Sequence, residues 1–103
     1  MLKYQLYIGL FDRETKAQEI NTLDAYKVVG HVINRPCTIT QGQGVYDHDD
    51  GTRVYEPSLI VEIVDFDKSV TRGWLIDKIE TIKKALNQES VVLNVQNIKS
   101  ELL

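Results

Sequence analysis

Tyr4, Leu6 and Ile8 alternate with Lys3, Gln5 and Tyr7, so the spacing predicts a half-buried strand over Leu2 to Gly9. The pattern then lapses. Leu10 to Ile20 is polar without a clear period and predicts a long connection with a helical turn near its end. Asn21 with Asp24, or Thr22 alone, can cap a helix whose apolar stripe is Leu23, Tyr26, Val29, Val32 and Ile33. Arg35-Pro36 ends it, because the residue before a proline is pushed out of the helical region. Cys37 to Asp65 reads as one long β-hairpin that turns at His48-Asp49-Asp50-Gly51. Asp67 or Ser69 is expected to cap a second helix, striped by Trp74, Leu75, Ile79, Ile82 and Leu86, with Lys83-Lys84 where the helix dipole favours cations. Val91, Leu93 and Val95 alternate again in a last strand from Ser90 to Gln96. The tail from Asn97 to Leu103 predicts a frayed end, or a short helix docking Ile98 and Leu102.

The hairpin register follows from burial. A two-residue turn would set Val61 opposite Thr40. A three-residue turn, with Gly51 in the left-handed position, sets Val61 opposite Ile39 and Tyr55 opposite Val45. A slip of one residue exchanges the faces of a strand, so the register that matches apolar to apolar should win. Cys37, Ile39, Gln41, Gln43 and Val45 then share the core side with Tyr55, Pro57, Leu59, Val61 and Ile63. The element order is β-α-β-β-α-β, an α+β ferredoxin-like plan: a four-stranded antiparallel sheet with two helices on one face, in a single domain over 1–103. The second sheet face is left uncovered, and it carries Tyr7, Thr40, Ile60, Val64 and Val92 among Gln5, Glu62 and Asn94. That is more apolar than a solvated sheet face normally is. Thr40, Ile60, Glu62 and Val92 are accordingly expected to form a subunit contact, a dimer being the commonest form.

Charge and composition narrow the partners. The chain has 103 residues, a net charge of -3 and a sequence pI near 5.3. The lone basic cluster is Lys83-Lys84, which argues against duplex nucleic acid as a partner. One cysteine, Cys37, excludes an intrachain disulfide and a cysteine metal site. No stretch has membrane-spanning length and the N-terminus has no apolar signal core, so a cytoplasmic protein with no membrane partner is expected.

Chemistry is sparsely marked. Gly42-Gln43-Gly44 has no following helix and matches neither the dinucleotide nor the P-loop fingerprint. Asp47-His48-Asp49-Asp50 could converge on a cation, but aspartates in turns are usually there to bond local backbone, so no metal and no cofactor are expected. Gly42 and Gly44 open a bare patch on the uncovered face beside Glu56 and Ser58. Tyr7, Gln43, Gly44, Tyr46 and Glu56 are the candidate ligand pocket, with aromatic rings for a planar group and polar side chains to orient it. An RNA-binding surface is only half met: Tyr7 is present, but the hairpin strand offers Ile60 instead of a ring.

Tyr7-Ile8-Gly9-Leu10, Gly44-Val45-Tyr46, Asp50-Gly51, Glu56-Pro57-Ser58 and Asn87-Gln88-Glu89-Ser90-Val91 occur in that order over most of the chain. Together they resemble a family of small bacterial and phage proteins with a G-L, G-x-W/Y, G, E-x-S, Q-E-S-V pattern and no established activity. Tyr46 stands where that family often has tryptophan. Many of its members are exported, which this N-terminus does not support. The resemblance implies a phage or mobile-element origin. The expectation is therefore an oligomeric, non-enzymatic binding protein for a small, nucleotide-like ligand or a host protein. The alternative is a cofactor-free enzyme of the dimeric α+β barrel type with Glu56 or His48 as base. A third possibility is an interaction module acting through Leu10 to Ile20.

Overall fold

The computed structural model describes residues 1–47 and 50–103. Its elements are β1 (Leu2–Gly9), α1 (Thr22–Ile33), β2 (Thr38–Asp47), β3 (Arg53–Val64), α2 (Arg72–Ala85) and β4 (Val92–Asn97). The antiparallel sheet runs β2-β3-β1-β4, the ferredoxin-like order. Ile39 pairs with Val61 and Val45 with Tyr55, the register that apolar matching demands. Leu59, Val61 and Ile63 are fully buried in consequence. Each such side chain contributes roughly 1.5–3 kcal/mol on burial, so a slip exposing all three would far outweigh any preference among turn types. Gly51 adopts φ +86°, as a left-handed turn position requires, whereas His48 and Asp49 lie outside the described residues.

Three expectations need correction. In α1 the buried face is Ala25, Val29 and Ile33, with Val28 and Val32 half-buried, while Leu23 and Tyr26 are exposed. The helix is rotated so that its small residue meets the sheet side of the core, and close approach wins over side-chain size. Asn21 is the N-cap: its Oδ1 accepts from the Asp24 N–H at 2.8 Å. The cap of α2 is Thr71, whose Oγ1 accepts from the Trp74 N–H at 3.1 Å. Asp67 and Ser69 bond each other at 2.6 Å instead, and the buried Asp65 carboxylate takes the N–H groups of Ser69 and Val70 at 3.0 and 3.1 Å. That loop tucks Val70 into the core, which delays the helix. Finally, the hairpin outruns the helices. Val45 and Tyr55 lie on the helix-side face but are more than half exposed, because nothing in α1 or α2 reaches them.

The tail after β4 is irregular, with Leu102 and Leu103 exposed. Its first residue is held, since the Ile98 N–H donates to the Met1 carbonyl at 2.8 Å. No helix among the described residues is long and apolar enough to cross a membrane.

Candidate functional site

Side-chain alternation and register put the site on the uncovered face. Thr40, Ile60, Tyr7 and Val92 are successive partners across all four strands, forming one apolar row. The next row on that face, toward the hairpin end, is Gly42, Ser58 and Gly9, and beyond it Gly44 faces Glu56. Of these, Gly9, Ser58 and Gly44 floor a hollow of about 470 Å³. Tyr7 and Val92 wall it on one side and Tyr46 stands at the β2 edge. The remaining wall comes from the loop after β1 and from the turn before β4.

Long-range hydrogen bonds from side chains fasten that wall. Glu56 Oε2 accepts from the Phe11 N–H at 2.8 Å. Gln88, itself only 7% exposed, donates through Nε2 to the Phe11 carbonyl at 2.7 Å and to the Leu86 carbonyl at 3.2 Å. Asn87 Nδ2 donates to Asp12 Oδ2 at 3.0 Å, and the Asn87 carbonyl accepts from the Arg13 N–H at 2.9 Å. Asp12 Oδ1 accepts from the N–H groups of Glu14 and Thr15 at 2.8 and 3.2 Å. The Asn87 amide, followed by those two backbone donors, holds the Asp12 carboxyl below its ordinary range. The loop is therefore a cross-braced turn, with Phe11 bridged to Gln18 and Lys16 at φ 61°, and the helical turn expected near its end is absent.

Gly9 is needed for space. A Cβ there would stand 2.6 Å from the Glu56 carboxyl carbon and both its oxygens, so the carboxylate lies directly over the glycine. Gly44 is different. A Cβ on it would meet only the Glu56 carbonyl oxygen, at 3.5 Å, and would otherwise point into the open hollow.

Of the residues expected to bind a ligand, Tyr7, Gly44, Tyr46 and Glu56 come together at the hollow. Gln43 does not line it. It pairs with Pro57 and projects to the helix side, because alternate residues of a strand face opposite ways. Of the expected subunit contacts, Thr40 and Val92 are exposed and Ile60 and Glu62 half-buried. Glu62 accepts a 2.8 Å bond from Gln5 Nε2. His48, the second candidate base, lies outside the described residues, as does Asp49. Asp47 is engaged by Arg53 Nε at 2.8 Å, which lowers its pKa. Pattern reading missed Arg13, Lys16, Gln88 and Glu89. The available signal was the short segments themselves: Tyr7–Gly9, Gly44–Tyr46, Glu56–Ser58 and Gln88–Ser90 all converge on one hollow.

No family model matches the chain, and no curated protein does. Solved structures are similar in fold. One is a phage SAM lyase in complex with S-methyl-5'-thioadenosine, with TM-score 0.64 and 19% identity over 92% of this chain and 79% of that one. Another is a phage SAM lyase in the apo state, with TM-score 0.65, 19% identity and coverages of 92% and 78%. At that identity the likeness establishes the fold.

Proposed function

We propose that the chain is a small phage-type lyase that releases S-methyl-5'-thioadenosine from S-adenosylmethionine. The observation that carries this reading is the hollow on the uncovered face, where Tyr7, Tyr46 and the Glu56 carboxylate stand around a glycine floor. It is supported by the kinship in fold with a lyase that holds that thioadenosine. The tyrosine rings offer stacking surfaces to adenine, and the second oxygen of Glu56 offers an acceptor to ribose hydroxyls.

Elementary chemistry favours one route over the alternative of Glu56 as a base. A β-proton of the aminobutyrate chain is too weakly acidic for a carboxylate to remove. The substrate's own carboxylate can instead attack its γ-carbon, forming the Cγ–O bond of a five-membered lactone. The Cγ–S pair leaves with sulfur, turning the sulfonium into a neutral thioether. No proton, water or cofactor is consumed. The site has to fold and hold the substrate, a task worth up to about 7–11 kcal/mol in well-oriented intramolecular reactions. Both charges vanish on the way, so a dry cleft accelerates the step. The apolar row of Thr40, Ile60, Tyr7 and Val92 borders the hollow, and we assign it to a second copy of the chain, which would shield the site from water. A native mass spectrum containing only the single-chain mass would remove that second copy.

The test is to incubate the protein with S-adenosylmethionine in heavy-oxygen water and to analyse both fragments by mass spectrometry. The expected products are S-methyl-5'-thioadenosine and a lactone whose γ-oxygen is unlabelled. Label at that oxygen would mean hydrolysis, and no turnover would leave a binding protein at most. A paired control uses Gly44→Val. The new side chain fits a strand and fills the hollow from its floor, so thioadenosine binding should fall at least about tenfold with Tm nearly unchanged.

A further inference from the structure

The hollow does not end at the strands. A second depression of about 360 Å³ lies on the other side of the turn before β4, lined by residues of α2's last turns. Arg13, Gln88 and Glu89 line both. They form the saddle of a groove that starts at Tyr46 on β2, crosses the sheet and passes over the turn. Three strand spacings of about 4.8 Å separate β2 from β4, so the groove is roughly 14 Å long before it reaches the saddle. An adenosyl group with a four-carbon amino-acid chain is of that order, and the thioadenosine alone is shorter.

The saddle offers one charge of each sign. Arg13 is presented by a braced loop: its N–H is bound by Asn87 and its carbonyl accepts from Lys16 Nζ at 2.6 Å. Of the two acids that flank it, Asp12 is occupied by Asn87, Glu14 and Thr15, and Glu14 makes no ion pair with the guanidinium. Glu56 is turned to Phe11. Among the described residues neither the Arg13 guanidinium nor the Glu89 carboxylate has a hydrogen-bond or ion-pair partner, and the two do not bridge each other. Glu89 directly follows Gln88, whose buried side chain is bonded to the Phe11 and Leu86 carbonyls.

From this juxtaposition we infer that Arg13 and Glu89 form a subsite for an α-amino acid zwitterion, the carboxylate on Arg13 and the ammonium on Glu89. The inference rests on the adenosyl reading above and names its far end. A guanidinium is suited to the task because it grips a carboxylate through a planar fork, and at a groove's rim it can hold one oxygen while the other faces the γ-carbon. Arg13 is thus a positioning residue. The subsite also separates substrate from product: once the γ-carbon bond breaks, the thioether has no zwitterion and loses its hold on the saddle.

The experiment compares S-adenosylhomocysteine, an unreactive ligand that keeps the amino-acid end, with S-methyl-5'-thioadenosine, which lacks it. Binding of each is titrated to the full chain and to Arg13→Met and Arg13→Lys. Wild type should bind the homocysteine compound more tightly. Arg13→Met should weaken that compound about 10- to 100-fold, the scale of one charge-assisted hydrogen bond, and leave the thioadenosine unchanged. Arg13→Lys should recover part of the loss, and in turnover Arg13→Met should raise KM more than it lowers kcat. Equal weakening of both compounds would make Arg13 a structural loop residue and overturn the subsite, as would no weakening of either. Failure of the wild-type protein to bind either compound would instead overturn the adenosyl reading, and the subsite with it.

Discussion

Replacing Glu56 with glutamine is expected to weaken S-methyl-5'-thioadenosine binding about 10- to 100-fold, with the fold intact. The carboxylate has two oxygens and two duties. Oε2 holds the Phe11 N–H at 2.8 Å, and in the proposed function the other oxygen is the one that accepts from the ligand. A glutamine has one acceptor oxygen, so it can keep the loop or receive the ligand, and its contact to either is neutral. Hydrogen bonds to a charged partner are worth about 1.5–3 kcal/mol against about 0.5–1.5 for neutral ones, which sets the size of the loss. Global stability should change little, because Glu56 is only half-buried and its partner is a loop amide. Calorimetric titration of thioadenosine, run beside the S-adenosylmethionine turnover assay, decides the role. If affinity survives and turnover vanishes, Glu56 acts on the reacting end of the substrate, and its assignment to the ribose is wrong.

Gly9→Ala should produce a related defect without touching Glu56. The added methyl would lie 2.6 Å from the carboxyl atoms, well inside van der Waals contact, so one group must move. The carboxylate is the far end of a flexible side chain and will be the one to swing away. The backbone at Gly9 does not need a left-handed angle, and alanine in a strand recovers roughly 0.5–1 kcal/mol of chain entropy relative to glycine. Loss of the Phe11 bond removes about the same amount or somewhat more. Tm should therefore shift by only a few degrees, while the Phe11 amide exchanges with solvent about tenfold faster or more and thioadenosine binding falls at least tenfold. Hydrogen exchange resolved at Phe11 is the deciding measurement. Unchanged protection there would mean that Glu56 reaches the loop by another rotamer, and the glycine would need a different explanation.

The two variants test the same brace from opposite strands. Glutamine changes the charge and leaves the shape, whereas alanine changes the shape and leaves the charge. A site built on the Glu56 carboxylate must fail in both. The rest of the brace, from Gln88 to Phe11 and from Asn87 to Asp12, should keep the loop attached in either case.

Much of the fold was legible in the pattern of residues. Period-two alternation located β1 and β4, and the apolar run Leu59 to Val64 could be satisfied by one hairpin register, the one observed. The stripe of Leu75, Ile79, Ile82 and Leu86 is the buried face of α2 and its extension. Half of the site was legible for the same reason. Once parity is known, Tyr7, Gly44, Tyr46 and Glu56 must share a face, and that rule also places Gln43 on the other side. What parity cannot do is choose among apolar residues of different size. In α1 it ranked Leu23 and Tyr26 above Ala25, yet the packed helix buries the alanine, because contact distance is settled by the neighbours and not by the helix alone.

The chain by itself determined the order of elements, the hairpin register and the sheet face on which chemistry could be placed. These depend on local periodicity and on burial, which any window of residues displays. Tertiary structure alone decided that Gly9 lies under Glu56 and that Arg13 and Glu89 share a saddle. It also decided that the loop after β1 is braced by Glu56, Asn87 and Gln88 across sequence separations of 45, 75 and 77 residues. Such contacts are single hydrogen bonds between distant positions. They leave no period in the chain, and only the closing of the sheet brings their partners within reach.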